Sequence, residues 1–202
     1  MRPLSGRTKE SLQNGAMWRD QRGVSAIEFA LLAPILILMY VGAVEIGRLL
    51  TVERRVETVA STAADLTAQV KQVVDNDLKD ICDASKSILP PYDSVPLKIV
   101  LSSVVADQNN NGKVAWSYSE SQHCGGGSVR AVGSSYVLPT GTTLANSSVI
   151  VVEVTYAFTP LLDLKPCPIL ATATDPCFNP GAFNLQRTFY ARPRRSLTVA
   201  KN

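Results

Sequence analysis

The sequence predicts an α+β chain: a long N-terminal transmembrane α-helix that continues into a small, mostly antiparallel β-sheet domain. Three observations predict it. From Phe29 to Val44 there is no charged residue. Beyond that run, Leu49, Val52, Val56, Val59, Ala63, Leu66, Val70 and Val73 recur in alternating steps of three and four, the stripe of a helix. Further on, four segments rich in β-branched and aromatic residues read as strands, and Ser148 to Phe158 alternates most cleanly.

Residues 1–23 form a basic leader carrying Arg2, Arg7, Lys9, Arg19 and Arg22. Residues 24–50 form the span. Its uncharged part is about 24 Å long as a helix, short of a hydrocarbon core of about 30 Å. Extending it from Val24 to Leu50 gives ample length but takes in Glu28, Glu45 and Arg48. Near the interfaces those carboxylates cost little; at the bilayer centre an acidic residue costs roughly 2.5 to 3.5 kcal/mol. Arg48, Arg54 and Arg55 follow the run, so the positive-inside bias towards a cytoplasmic N-terminus is modest.

Residues 51–76 continue the helix as an amphipathic rod, with Glu53, Arg54, Arg55, Glu57, Asp65 and Lys71 on the solvated side. One helix from about Ser25 to Val74 is about 75 Å long, with a kink expected at Pro34. Its stripe packs either on the chain's own sheet or on helices of neighbouring subunits. Val and Ala are small for an autonomous coiled coil, so a partner surface is required.

Residues 77–202 form the exported domain. A short helix opens at Asp75-Asn76-Asp77 and stops before Pro90-Pro91. Strands are expected at Leu97 to Ala106, Lys113 to Glu120, Ser148 to Phe158 and Phe183 to Ala191, with irregular connections at 121–147 and 159–182. On the third strand Ile150, Val152, Val154, Tyr156 and Phe158 share one face.

Composition narrows the chemistry. A net charge of +3 without a long basic block argues against nucleic-acid binding. One histidine, His123, leaves little for histidine catalysis or a metal centre. Cys82, Cys124, Cys167 and Cys177 contain no C-x-x-C pair, which argues against a zinc site. In an exported segment an even count suggests two disulfides. Cys82 with Cys124 and Cys167 with Cys177 is the preferred pairing, since the second closes a short Pro-rich loop.

Asp107, Asn109, Asn111 and Gly112 have the spacing that opens a calcium loop, but Tyr118 stands where the closing glutamate belongs. A polar hairpin turn explains them better. "HCGGGS" (His123 to Ser128) lacks a P-loop lysine and reads as a flexible loop beside a disulfide. "ARPRR" (Ala191 to Arg195) reads as a solvated tail, with an acidic contact as the alternative. No enzyme, cofactor or metal is expected.

Three fates remain for the N-terminus. The span is an uncleaved anchor for an envelope binding module, a secretory signal cut after Ala43, or a prepilin-type signal cut after Gly23. An ordinary signal fits poorly, because the helical pattern continues past Ala43. Gly23, four residues, then Glu28-Phe29 opening an apolar helix resembles a type IV prepilin processing site. The stretch "RGVSAIEFALLAPILILMYVGAVEIGRLLTVERRVETVASTAADL" (Arg22 to Leu66) resembles the TadE-like pseudopilins of Tad/Flp pilus assembly, most specifically in "GVSAIEFALLAP".

That resemblance implies a pilin-like fold and a minor pilin of a tight-adherence system. It implies cleavage after Gly23 by a prepilin peptidase, so that Val24 becomes the N-terminus and Glu28 the fifth residue. Many type IV pilins have phenylalanine where this chain has Val24. The partners implied are the peptidase, other pilin-like subunits and Tad inner-membrane assembly proteins. The place implied is the bacterial inner membrane, with one pass, a cytoplasmic N-terminus and a periplasmic C-terminal domain. Glu28 then pairs with the α-amine of a neighbouring subunit.

Overall fold

The computed structural model describes residues 24–107, 111–139, 141–142, 146–160 and 183–202. Two compact units part between Ile46 and Gly47. Helix α1 (Val24–Ala68) runs through both, and its first part is taken up below with the candidate site. The second unit adds β1 (Gln72–Val73), α2 (Asp75–Lys86), β2 (Leu97–Ala106), β3 (Gly112–Tyr118), α3 (Ser121–Cys124), β4 (Ser135–Tyr136), β5 (Ser148–Phe158), β6 (Phe183–Ala191) and β7 (Ala200–Lys201). The expected mixture of an N-terminal helix and an antiparallel sheet is what the chain forms.

The main sheet has the order β4-β3-β2-β5-β6, every neighbouring pair antiparallel. Its two faces have different roles. On one, Leu97, Ile99, Leu101, Trp116, Ile150, Val152, Val154, Tyr156 and Phe158 meet Val52, Val56, Val59, Ala60, Ala63 and Ala64 of α1 in a single core. The helical stripe is therefore spent on the chain's own sheet. Small residues suit it, because valine and alanine let a helix lie close to a pleated surface. On the opposite face Val104, Val114, Val149 and Val151 form a smaller cluster with Tyr136, Leu138 and Tyr190 packed on it.

The helix stops earlier than its stripe suggests, at Ala68 rather than near Val74. Val73 is still fully buried, but as part of β1, which pairs in parallel with β7. The Ala68 carbonyl accepts the Arg194 N–H at 2.9 Å. The C-terminal segment thus supplies a donor at the helix end and a strand for the residues beyond it.

This also corrects the solvated-tail reading of Ala191 to Arg195. The Arg192 guanidinium donates to the Thr142 and Gly141 carbonyls at 2.8 and 2.9 Å. Arg194 pairs with Asp65 of α1. Further along, Val199 is 2% exposed and its carbonyl accepts the Trp116 Nε1–H at 2.8 Å. The acidic contact exists, and it lies inside the same chain.

Helix α2 opens with the Asp77 carboxylate accepting the Val74 N–H at 3.2 Å. Cys82 on α2 and Cys124 on α3 form a disulfide, with Cα atoms 5.3 Å apart and both residues fully buried. Cys167 and Cys177 lie outside the described residues.

The "HCGGGS" loop is more constrained than the expected flexible connection. Gly125 has φ +78°, and a Cβ there would lie 2.0 Å from the Leu97 carbonyl oxygen. Only glycine fits this backbone approach. At the β2–β3 connection, Asp107 Oδ1 accepts the Asn111 N–H at 2.8 Å and Oδ2 accepts from Asn111 Nδ2 at 3.2 Å. These are the bonds of a polar turn; residues 108–110, Asn109 among them, lie outside the described residues.

Three phenols titrate abnormally high. Burial is the first cause for Tyr118, Tyr136 and Tyr156; for Tyr136 a hydrogen bond with Tyr190, Oη to Oη 3.4 Å, adds to it. A phenol held protonated in the fold contributes stability below its unfolded pKa of about 10, and that contribution is lost as pH rises beyond it. The thermal midpoint is expected to fall between pH 9 and pH 11, and to fall less in Tyr136→Phe. Equal falls would show that Tyr136 is not one of the responsible groups.

Candidate functional site in the apolar helix

From Ser25 to Ile46, α1 is a run whose side chains are exposed or half-buried throughout. Ile27, Phe29, Leu31, Leu32, Ile35, Leu36, Ile37, Leu38 and Tyr40 are each more than half exposed. Apolar residues lie on every side of this segment. A helix of that kind is stable only inside a membrane or among other apolar helices. Among the described residues, α1 is the one helix long and apolar enough to cross a membrane.

The segment's special residues follow from its sequence. The described helix begins at Val24; Gly23 lies outside the described residues. Glu28 is exposed, one turn beyond Val24, and residues four apart share a helix face. Phe29 is exposed beside it. Pro34 lies within the helix, and having no N–H it leaves the Ala30 carbonyl without its usual intrahelical donor.

The sheet's outer face carries a second feature that the sequence did not reveal. Lys98, Val100, Gly127, Arg130, Glu153 and Gln186 are among the residues lining a cleft of about 630 Å³. Arg130 Nη2 lies 2.5 Å from Glu153 Oε1, and the guanidinium stacks over Tyr136 at 4.6 Å. The hydrogen bond to Glu153 is the first cause holding Arg130 above its ordinary pKa. Arg130 and Glu153 are 23 residues apart, and no local spacing signals their meeting.

His123 Nδ1 lies 2.6 Å from Asp83 Oδ2. That contact joins α3 to α2 beside the disulfide, so the histidine serves the packing of these helices. Among the described residues no three His, Cys, Asp or Glu side chains converge in a way that could hold a metal.

Comparison with known proteins singles out the same helix. Searches of curated proteins and of solved structures each return no match. A family model described as TadE-like protein matches residues 23–65. That match begins at Gly23, takes in Glu28 and Phe29, and ends within the part of α1 packed on the sheet. Over residues 23–65, the segment that builds its apolar helix, the chain is similar to TadE-like proteins.

Proposed function

We propose that this chain is a membrane-anchored minor pilin of a Tad/Flp pilus machinery that acts by assembly rather than by catalysis. The carrying observation is the apolar surface of residues 27–46, exposed on every side of the helix. A TadE-like match that begins at Gly23 supports the pilus context. The helix spans the bacterial inner membrane once, with the basic leader in the cytoplasm and the disulfide-bearing domain in the oxidising periplasm.

In this reading a prepilin peptidase cuts after Gly23. The cut leaves an α-amine on Val24, charged at neutral pH. Among packed apolar helices that amine and the Glu28 carboxylate each need a partner. An axial offset between subunits brings Glu28 of one to the amine of the next. Leaving one member of such a buried pair alone costs roughly 3 to 5 kcal/mol, so the pair selects the register in which both are satisfied. The other pilin-like subunits and the Tad inner-membrane assembly proteins are the partners.

Glu28→Gln tests the pairing. It keeps size and hydrogen bonding but removes the charge. The processed N-terminus is expected to be unchanged, while recovery of co-assembled pilin-like subunits after mild solubilisation falls at least tenfold. Undiminished recovery with intact processing would show that the carboxylate does not set register.

A further inference from the structure

The second unit begins at Gly47, directly after the apolar segment of the continuous helix α1. Residues 27–46 cover about 30 Å as a helix, the thickness of a hydrocarbon core. The headgroup layer beyond that core is about 5 to 7 Å deep, enough for about one further turn. Residues 47–50 therefore pass through headgroups, and what packs beside them lies near the bilayer surface. This follows from the continuity of the chain, and it rests on the reading that the helix spans a membrane.

Two parts of the second unit meet that level. The Arg48 guanidinium lies 5.7 Å from the centre of the Phe158 ring, at the end of β5. Next to Phe158, the Ala157 N–H donates to the Pro96 carbonyl at 3.2 Å. Two turns further along α1, Arg55 Nη1 donates to the Ile88 carbonyl at 2.8 Å, and its guanidinium lies 5.8 Å from the centre of the Tyr92 ring. The connection 88–96, between α2 and β2, is thus held at both ends near the start of the second unit.

That connection reads "ILPPYDSVP", and its backbone is closed on itself. The Tyr92 N–H donates to the Leu89 carbonyl and the Leu97 N–H to the Ser94 carbonyl, each at 3.1 Å. Asp93 Oδ1 accepts the Val95 N–H at 2.9 Å. A turn so braced holds Val95 outward, 83% exposed, with Pro90 and Pro91 also exposed and Tyr92 half-buried. One exposed apolar side chain on a protein surface is ordinary. Here a valine and two prolines stand out beside the point where a membrane helix emerges. Tyrosine suits the same level, because its ring is apolar and its hydroxyl is wet. Arg55 is turned to Ile88 and Tyr92, and Asp93 to the Val95 N–H, so the surface offered is apolar rather than ionic.

We propose that the connection 88–96 is a lipid-contact site of the second unit. Val95, with Pro90 and Pro91, enters the boundary between headgroups and acyl chains, and Tyr92 lies among the headgroups. The contact gives the second unit its own hold on the bilayer surface in addition to the helix. Its partner is a phospholipid bilayer, recognised by apolar burial and not by the charge of the headgroup.

Photolabelling from the lipid tests this on the full chain, disulfide intact, in phosphatidylcholine nanodiscs. A fraction of the lipid carries a diazirine near the carbonyl end of one acyl chain. Light expels dinitrogen and leaves a carbene that inserts into a neighbouring C–H bond, and the adducts are mapped in tryptic peptides. Peptide 87–98 is expected to carry at least fivefold more adduct than peptide 196–201. Leu197 in that second peptide is 73% exposed, but its carbonyl accepts the Ser148 N–H at 2.8 Å, at the end of β5 opposite Phe158. Val95→Asp should cut labelling of peptide 87–98 at least fivefold, and the milder Val95→Ser severalfold, with labelling of residues 27–46 and the melting temperature kept. Equal labelling of the two peptides, or labelling indifferent to both variants, would overturn the proposal. A labelled 27–46 with an unlabelled 87–98 would overturn the lipid contact and leave the span standing, since protein rather than lipid would then cover Val95. Absence of adducts from residues 27–46 as well would overturn both.

Discussion

Replacing both Cys82 and Cys124 by alanine is expected to lower the stability of the second unit by about 4 kcal/mol. The disulfide joins residues 42 apart, and closing a loop of that length in the unfolded chain gives about this figure in the loop-entropy account. For a domain of this size the midpoint should fall on the order of 10 °C. The bond ties α2 to α3 just before Gly125, whose backbone lies against Leu97 at the start of β2. Thermal unfolding of the full chain in detergent, wild type against the double variant, measures it. A fall of less than about 1 kcal/mol would mean that the cross-link only decorates an already rigid contact.

The second large effect belongs to Val56. It is fully buried in the core between α1 and the sheet, so Val56→Asp places a carboxylate there without a cation. A loss on the order of 4 kcal/mol or more is expected, because an unpaired buried charge is among the few changes that reach that size. Glu57→Gln, one residue along on the exposed side, should change stability by no more than about 0.5 kcal/mol. Circular dichroism melts in detergent decide the matter. Were Val56 part of a seam between subunits, Val56→Asp would leave the isolated chain folded and impair only its assembly.

Val56 also shows how far a sequence can be read here. Its three-and-four spacing marked a buried helical face, but left open whether the covering surface belonged to this chain or another. The strands were legible because period-two alternation of β-branched residues is a local property. Leu97–Ala106, Ser148–Phe158 and Phe183–Ala191 begin and end where alternation and flanking residues put them. The end of α1 was not legible, since Val73 satisfies a heptad and a buried strand equally well. What separates the two is the pairing of β1 with β7 near the far end of the chain.

The same long-range cause hid the role of the C-terminal residues. Arg192 to Arg195 look like a solvated run until Asp65, 129 positions from Arg194, comes beside them. Gly125 and Gly127 look like slack until Leu97 and Val100 are found against them. For the candidate site the position of Glu28 was legible, but its depth alone assigned it no role. The role proposed for it rests on the distance to Gly23 and on the match of a TadE-like family model to residues 23–65, which contain both.

That meaning depends on whether the chain is cut. Purified from cells with an active prepilin peptidase, the chain should have Val24 as its first residue, read by mass spectrometry of the intact protein and of its N-terminal peptide. A chain that begins at Met1 would be an uncleaved anchor, and one that begins at Val44 a secreted protein. Either result would contradict the assembly role proposed for Glu28.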